Sequence, residues 1–257
     1  MVEEGETFDG GVARNHGWMV AMSAIDSDIP RQVQSIYRLE RQSRLDVWHK
    51  DAGLIIGGGH NLREIDIPLA NFHVVTGHAG VDVEWGRIIS GESWHDKRAV
   101  YIPRDTRDEI TVDRQKLTAS FAQGDVGFTV VPLDDSRLKI EYSHDLFNTR
   151  KLFVQLPLIS FYDGSILVDG KPYEDSELTG VEESIELISP TMGTRVRLSL
   201  PAGLPAVLRQ GVYPLRWYGG EHPPQRWEPY YKIYLLSVRI DNPATDNGEF
   251  MLEVSAN

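Results

Sequence analysis

From Arg41 to Asn61 the chain alternates, turns, returns and then stops alternating. Leu45 and Val47 are interleaved with Arg44 and Asp46, the period of a strand with one face buried. Lys50-Asp51-Ala52-Gly53 is a polar turn that closes on glycine, where a positive φ costs little. Leu54-Ile55-Ile56 is a short apolar run able to come back as the partner strand, and Gly57-Gly58-Gly59-His60-Asn61 then breaks the sheet. Ordering consecutive glycines costs backbone entropy. A chain accepts that cost where it must bend sharply or let another group approach its backbone, so the loop reads either as a tight corner between sheets or as a ligand loop.

The same period recurs along most of the chain. Residues 16–24 are almost wholly apolar and predict a strand covered on both faces. Residues 32–40, 73–76 and 81–89 are further candidates, the last with Val81, Val83 and Trp85 on one face and Asp82 and Glu84 on the other. Beyond residue 99 short candidates follow one another at 99–102, 109–112, 116–122, 127–132, 137–143 and 151–157, punctuated by Gly, Pro, Asp or Asn. Residues 165–168 and 171–173 flank Asp169-Gly170, a two-residue hairpin signal. Residues 184–189, 195–199, 206–212, 230–241 and 248–255 complete the set. No amphipathic helix longer than about three turns is visible. The pattern predicts an all-β fold, a large antiparallel two-sheet sandwich with little helix, formed as a single domain over residues 16–257. Residues 1–15 carry little apolar content and are expected to be a flexible N-terminal arm.

Composition narrows the function more by exclusion than by indication. The 257 residues include 41% apolar residues, enough for a substantial core. A formal net charge of −12 argues against a nucleic-acid backbone as partner, since such binding needs clustered Lys and Arg. The absence of cysteine removes disulfides, Cys-based zinc sites and a thiol nucleophile. No N-terminal apolar leader and no run of about 20 apolar residues is present, so a soluble chain with no membrane partner is expected, whose parent is exported only if its signal lies elsewhere.

Candidate chemistry lies in histidines and tryptophans. His49 and His60 stand near the two ends of the Arg41–Asn61 unit and are the candidate catalytic pair, with Arg41 and Asn61 as polar ligand contacts. Trp94, Trp217 and Trp227 lie in loops beside carboxylates, Pro and Tyr, a composition that suits stacking on sugar rings, and equally suits capping the edge of a core. His73, His78 and Glu84, or His95 with Asp96, could converge on a metal, but nothing in their spacing distinguishes them from ordinary loop residues, so no cofactor is expected. GxGxxG is not completed at the glycine run, and no GxSxG elbow occurs, which removes nucleotide binding and that type of serine hydrolase.

The stretch HGWMVAMSAIDSDIPRQVQSIYRLERQSRLDVWHKDAGLIIGGGHN, at 16–61, resembles the β-sheet region of heparinase II/III-like proteins and related polysaccharide lyases. TASFAQGDVGFTVVPL at 118–133, RLKIEYSHDL at 137–146 and YYKIYLLSVRID at 230–241 are similar to the supersandwich of that group. The resemblance implies a carbohydrate partner, including acidic polysaccharide, and β-elimination chemistry. In that reaction a base removes the proton α to a uronate, a neutralising group holds the developing charge, and an acid protonates the leaving oxygen. It also implies a helical toroid, supplied by the same or a partner chain, to complete the cleft. The expectation is therefore a carbohydrate-binding or cleft-completing domain that is not a full catalyst alone. Two alternatives stay open: a self-sufficient sugar-active enzyme of lyase or mutarotase type using His49 and His60, and a structural or assembly domain.

Overall fold

The computed structural model describes residues 6–27, 42–57, 75–77, 105–121, 124–145, 151–161, 163–173, 179–204, 206–210, 231–240 and 247–257. In chain order its strands are β1 (Glu6–Asn15), β2 (Trp18–Ser27), β3 (Gln42–His49), β4 (Gly53–Ile56), β5 (Val75–Gly77), β6 (Asp105–Ile110), β7 (Gln115–Phe121), β8 (Gly124–Pro132) and β9 (Arg137–His144). There follow β10 (Lys151–Phe161), β11 (Ser165–Val168), β12 (Lys171–Pro172), β13 (Thr179–Val181), β14 (Ser184–Ser189), β15 (Thr194–Ser199), β16 (Ala206–Gln210), β17 (Tyr231–Ile240) and β18 (Asn247–Ala256). They form two antiparallel sheets of nine strands each. Sheet A runs β1-β2-β3-β4-β10-β17-β16-β13, with β5 also on β10; sheet B runs β12-β11-β14-β15-β18-β9-β8-β7-β6. Among the described residues there is no helix, and none long and apolar enough to cross a membrane.

Period-two alternation places the core. On β3, Leu45, Val47 and His49 are buried while Asp46 and Trp48 are half-buried. On β9, Leu138, Ile140, Tyr142 and His144 are buried, and across β18 so are Phe250, Leu252 and Val254. Together with Trp18, Val20, Ile56, Phe128, Leu156 and Leu158 they form one apolar cluster fed by both sheets. Each fully buried Leu, Ile, Val or Phe contributes about 1.5–3 kcal/mol, less the entropy of ordering it.

Two turns form as their sequences predict. Gly53 adopts φ 72° at the end of the β3–β4 turn. Asp169 and Gly170 take φ 49° and 75°, the two positive values of the hairpin turn that matches strand twist. The Asp169 carboxylate accepts the backbone N–H groups of Glu182, Glu183 and Ser184.

Residues 6–15 differ from the expected arm. They form β1, in register with β2 from Glu6↔Ser27 to Asn15↔Trp18. An edge strand has one flank open and can carry glycine and polar residues without weakening a core, so its sequence does not advertise it. The short β13 also escapes the sequence pattern, because three residues are too few to show a period.

The two outer faces of the sandwich are unlike. Across sheet B the register aligns Glu186, Arg197, Glu253 and Arg137 on four neighbouring strands, an alternating row of charge. Lys139 pairs with Glu141 at 2.8 Å, and Arg195 with Glu186 at 3.4 Å. Such pairs add little stability; they mark a solvated face. The outer face of sheet A instead aligns Met19, Trp48 and Leu54 on β2, β3 and β4.

Candidate functional site

The apolar row of Met19, Trp48 and Leu54 continues into Ala21 and Asp46, which are paired in register one step along β2 and β3. Leu54 is exposed and Trp48 half-buried, although neither contributes to the core between the sheets. A register shift between Val47 and Trp48 against β4 bends the sheet locally. The glycine-rich stretch begins here. Gly57 adopts φ 153°, and a Cβ at that position would lie 2.6 Å from Asp46 Oδ1 and 3.0 Å from Leu54 Cδ1. Glycine lets the backbone pass this close to the carboxylate in its observed position. The site therefore combines an indole, a carboxylate and a glycine backbone on one sheet face. An indole face packs against the C–H face of a sugar, and a carboxylate accepts its hydroxyls.

His49 sits on the opposite side of the same strand. It is 2% exposed, and its ring lies edge-on to Trp18 at 4.6 Å. Nδ1 accepts the backbone N–H of Asp51 at 3.2 Å, which makes Nε2 the protonated nitrogen that donates to the Asp135 carbonyl at 2.7 Å. Trp18 Nε1 donates to the neighbouring Asp134 carbonyl at 2.9 Å. These two bonds tie the β2–β3 end of sheet A to the β8–β9 turn of sheet B. A general base needs a lone pair within reach of substrate; in His49 both nitrogens are committed to backbone within the fold. Around this tie the charges are exposed. Lys50 Nζ donates to Asp135 Oδ2 at 3.1 Å, and His16 Nδ1 lies 3.6 Å from Asp135 Oδ1. The bond from Lys50, followed by its charge, holds the Asp135 carboxyl below its ordinary pKa and lifts the Lys50 ammonium above its own.

Of the other residues singled out in the sequence, Arg41, His60, Asn61, Trp94, Trp217 and Trp227 lie outside the described residues, as do His73, His78, Glu84, His95 and Asp96. Among the described residues no three His, Asp or Glu side chains are grouped to hold a metal ion. The sequence does carry a signal for Trp48 and Asp46 as outward-facing residues. Both alternate with Leu45, Val47 and His49, so burial of that set places them on the other face.

No protein-family model matches the sequence, and no curated protein matches it. Solved structures do. A proposed aldose 1-epimerase from Escherichia coli K12 superposes with TM-score 0.55 at 10% identity, over 98% of this chain and 100% of that one. A proposed mutarotase from Salmonella typhimurium gives TM-score 0.44 at 8% identity, over 96% of this chain and 94% of that one. A heparan sulfate lyase from Pedobacter heparinus gives TM-score 0.43 at 12% identity, over 95% of this chain but 36% of its own. At these identities the likeness concerns the fold alone, and the first superposition carries it: the chain resembles the Escherichia coli protein in fold.

Proposed function

We propose that this chain binds carbohydrate on the outer face of sheet A, with Trp48 as stacking platform, Asp46 as hydroxyl acceptor and the glycine-rich loop as the backbone that approaches the ligand. The observation that carries the reading is the contact at Gly57, where the loop starts against the Asp46 carboxylate beside an outward-facing indole. The contrast with sheet B supports it, because an apolar row on one outer face opposes a charged row on the other. The fold likeness to a protein described as an aldose 1-epimerase is consistent with a sugar ligand. In this reading His60 and Asn61, which follow Gly57 along the chain, contact the bound sugar, Arg41 neutralises an acidic substituent, and Trp94, Trp217 and Trp227 are further ligand-binding residues. His49 supports the sheet from behind. The domain completes a cleft with a helical partner and does not carry out β-elimination alone.

A second reading is a self-sufficient aldose epimerase, favoured by the superposition on the full length of the Escherichia coli protein. Calorimetric titration of neutral and acidic oligosaccharides, with Trp48→Ala and His60→Ala alongside, tests the binding proposal. Saturable binding that Trp48→Ala weakens roughly tenfold is expected, from the stacking and burial an indole provides. Binding unchanged in Trp48→Ala, or no glycan bound at all, overturns it. Polarimetric mutarotation of free aldoses separates the two readings. Catalysed mutarotation lost in His60→Ala establishes the epimerase, and release of unsaturated uronate by the purified chain refutes the accessory role.

A further inference from the structure

Among the described strands the two sheets end in β1 and β13 and in β12 and β6, and three of these four edges are blunted against pairing with further chain. β12 is two residues long and ends in Pro172, β13 is three residues long, and β6 carries Asp105, Arg107, Asp108 and Glu109 in six residues. β1 has none of these devices. It runs for ten residues with no proline and no lysine, and it pairs along its length with β2 alone among the described strands. Its inner side rests on sheet B, where a Cβ at Gly11 would come 2.7 Å from Ile110 Cδ1.

The turn that follows β1 determines which backbone groups face its outer flank. His16-Gly17 is a two-residue hairpin loop closed by Asn15 and Trp18, which are therefore a hydrogen-bonded pair, and such pairs alternate along an antiparallel ladder. Residues 15, 13, 11, 9 and 7 direct their N–H and C=O groups to β2, so residues 14, 12, 10, 8 and 6 direct theirs away from it. Those even positions also belong to the outer face of sheet A. Gly10, Val12 and Arg14 are exposed, Val12 at 62%, and the strand period extends the set to positions 8 and 6.

We propose that β1 pairs antiparallel with β1 of a second copy, joining the two A sheets edge to edge about a twofold axis at Gly10. This register sets Glu6 opposite Arg14 and Phe8 opposite Val12 on both sides of the axis, with Gly10 opposite its own copy. Opposite charges, and an aromatic residue beside a β-branched one, are favourable cross-strand pairs. Moving the axis by one residue sets Glu6 against Val12 or Phe8 against Arg14, and both kinds of complementarity are lost. The contact is isologous and closes at two chains, so it leaves no β1 edge on which further copies add. It is independent of the sugar site on the face of sheet A.

Sedimentation equilibrium of the full chain over a wide concentration range is expected to show a reversible monomer–dimer equilibrium. Val12→Pro removes one N–H from the outer flank and none from the β1–β2 ladder, so it is expected to give a folded monomer. Arg14→Glu sets like charges opposite each other at both ends of the paired strands and is expected to weaken the dimer roughly tenfold. Adding Glu6→Arg to it is expected to restore the dimer. The chain has no cysteine, so Gly10→Cys places its single thiol at the axis. A hydrogen-bonded pair there sets the two Cα atoms about 5.5 Å apart, within disulfide reach. Under mild oxidation Gly10→Cys is expected to form a covalent dimer, while Val12→Cys, which falls opposite Phe8 and not its own copy, is not. The cross-linking pair decides the register whether or not Val12→Pro folds. A chain monomeric at every concentration, a dimer unaffected by Val12→Pro, no recovery in the double charge swap, or Gly10→Cys cross-linking no faster than Val12→Cys each overturns the proposal.

Discussion

Replacing His49 by alanine distinguishes a residue that holds the sandwich together from one that acts on a ligand. The imidazole makes two hydrogen bonds to backbone, donating to Asp135 and accepting from Asp51, and it packs edge-on against Trp18. Each bond contributes about 0.5–1.5 kcal/mol net, and its loss leaves a carbonyl and an N–H to find water. Removing a fully buried ring of this size costs about a further 2 kcal/mol in lost contacts and cavity. The sum is about 3–5 kcal/mol, among the larger effects of a single substitution. For a chain of this length each kcal/mol lowers the melting temperature by about 2–4 °C, so a fall of about 10 °C is expected. Urea unfolding followed by tryptophan fluorescence should show a lower midpoint with an unchanged slope, since the same surface is exposed on unfolding. His49→Gln, which keeps one donor, should recover part of the loss. Trp18→Phe, which removes the bond from Nε1 to the Asp134 carbonyl and also leaves part of a fully buried indole's volume empty, should cost about 2–3 kcal/mol. A His49→Ala protein within about 1 kcal/mol of the parent, yet unable to bind or turn over sugar, refutes this reasoning and returns His49 to the candidate site.

Other expectations concern neighbouring backbone. At Gly17 a Cβ would lie 2.9 Å from both the Asp135 carbonyl and His49 Nε2, so Gly17→Ala should wedge that bond apart and destabilise by about 1–3 kcal/mol, read by the same unfolding curves. Gly57→Ala should lower sugar affinity, because the new methyl meets Asp46 Oδ1 and forces either the loop or the carboxylate to move; calorimetry with an unchanged ligand-free circular dichroism spectrum checks it. Asp169→Ala should destabilise more than Asp169→Asn, since asparagine tolerates the φ of 49° and keeps an acceptor for the N–H groups of Glu182, Glu183 and Ser184. Burial raises the Asp169 carboxyl, but the bonds from Ser184, Glu182 and Glu183 and the charge of Lys171 outweigh it, and its folded-state pKa lies below the ordinary value. Its contribution is therefore complete above the unfolded carboxylate pKa of about 3.9 and is lost as pH falls through the folded value. Acid unfolding of Asp169→Asn should lack that component.

The sequence by itself determined many of the described strands and their inward sets, while the candidates at 32–40, 81–89 and 99–102 lie outside the described residues. Alternation on β9 and on β18 names Leu138, Ile140 and Tyr142 and Phe250, Leu252 and Val254 before any coordinates, because a pleated strand turns successive side chains to opposite faces. Turn chemistry likewise determined the hairpin at Asp169-Gly170, a local matter of φ. Tertiary structure alone decided what each face meets. Nothing near residue 49 foretells that a carbonyl from residue 135 will take the His49 proton, or that Trp48, one residue away, will face outward beside the start of the glycine loop. The edge strand β1 was illegible for the related reason that pairing on a single flank leaves little trace in hydrophobic pattern. Strand period is written within a few residues, whereas the partner of a buried polar group comes from chain brought close only when two nine-stranded sheets close on one another.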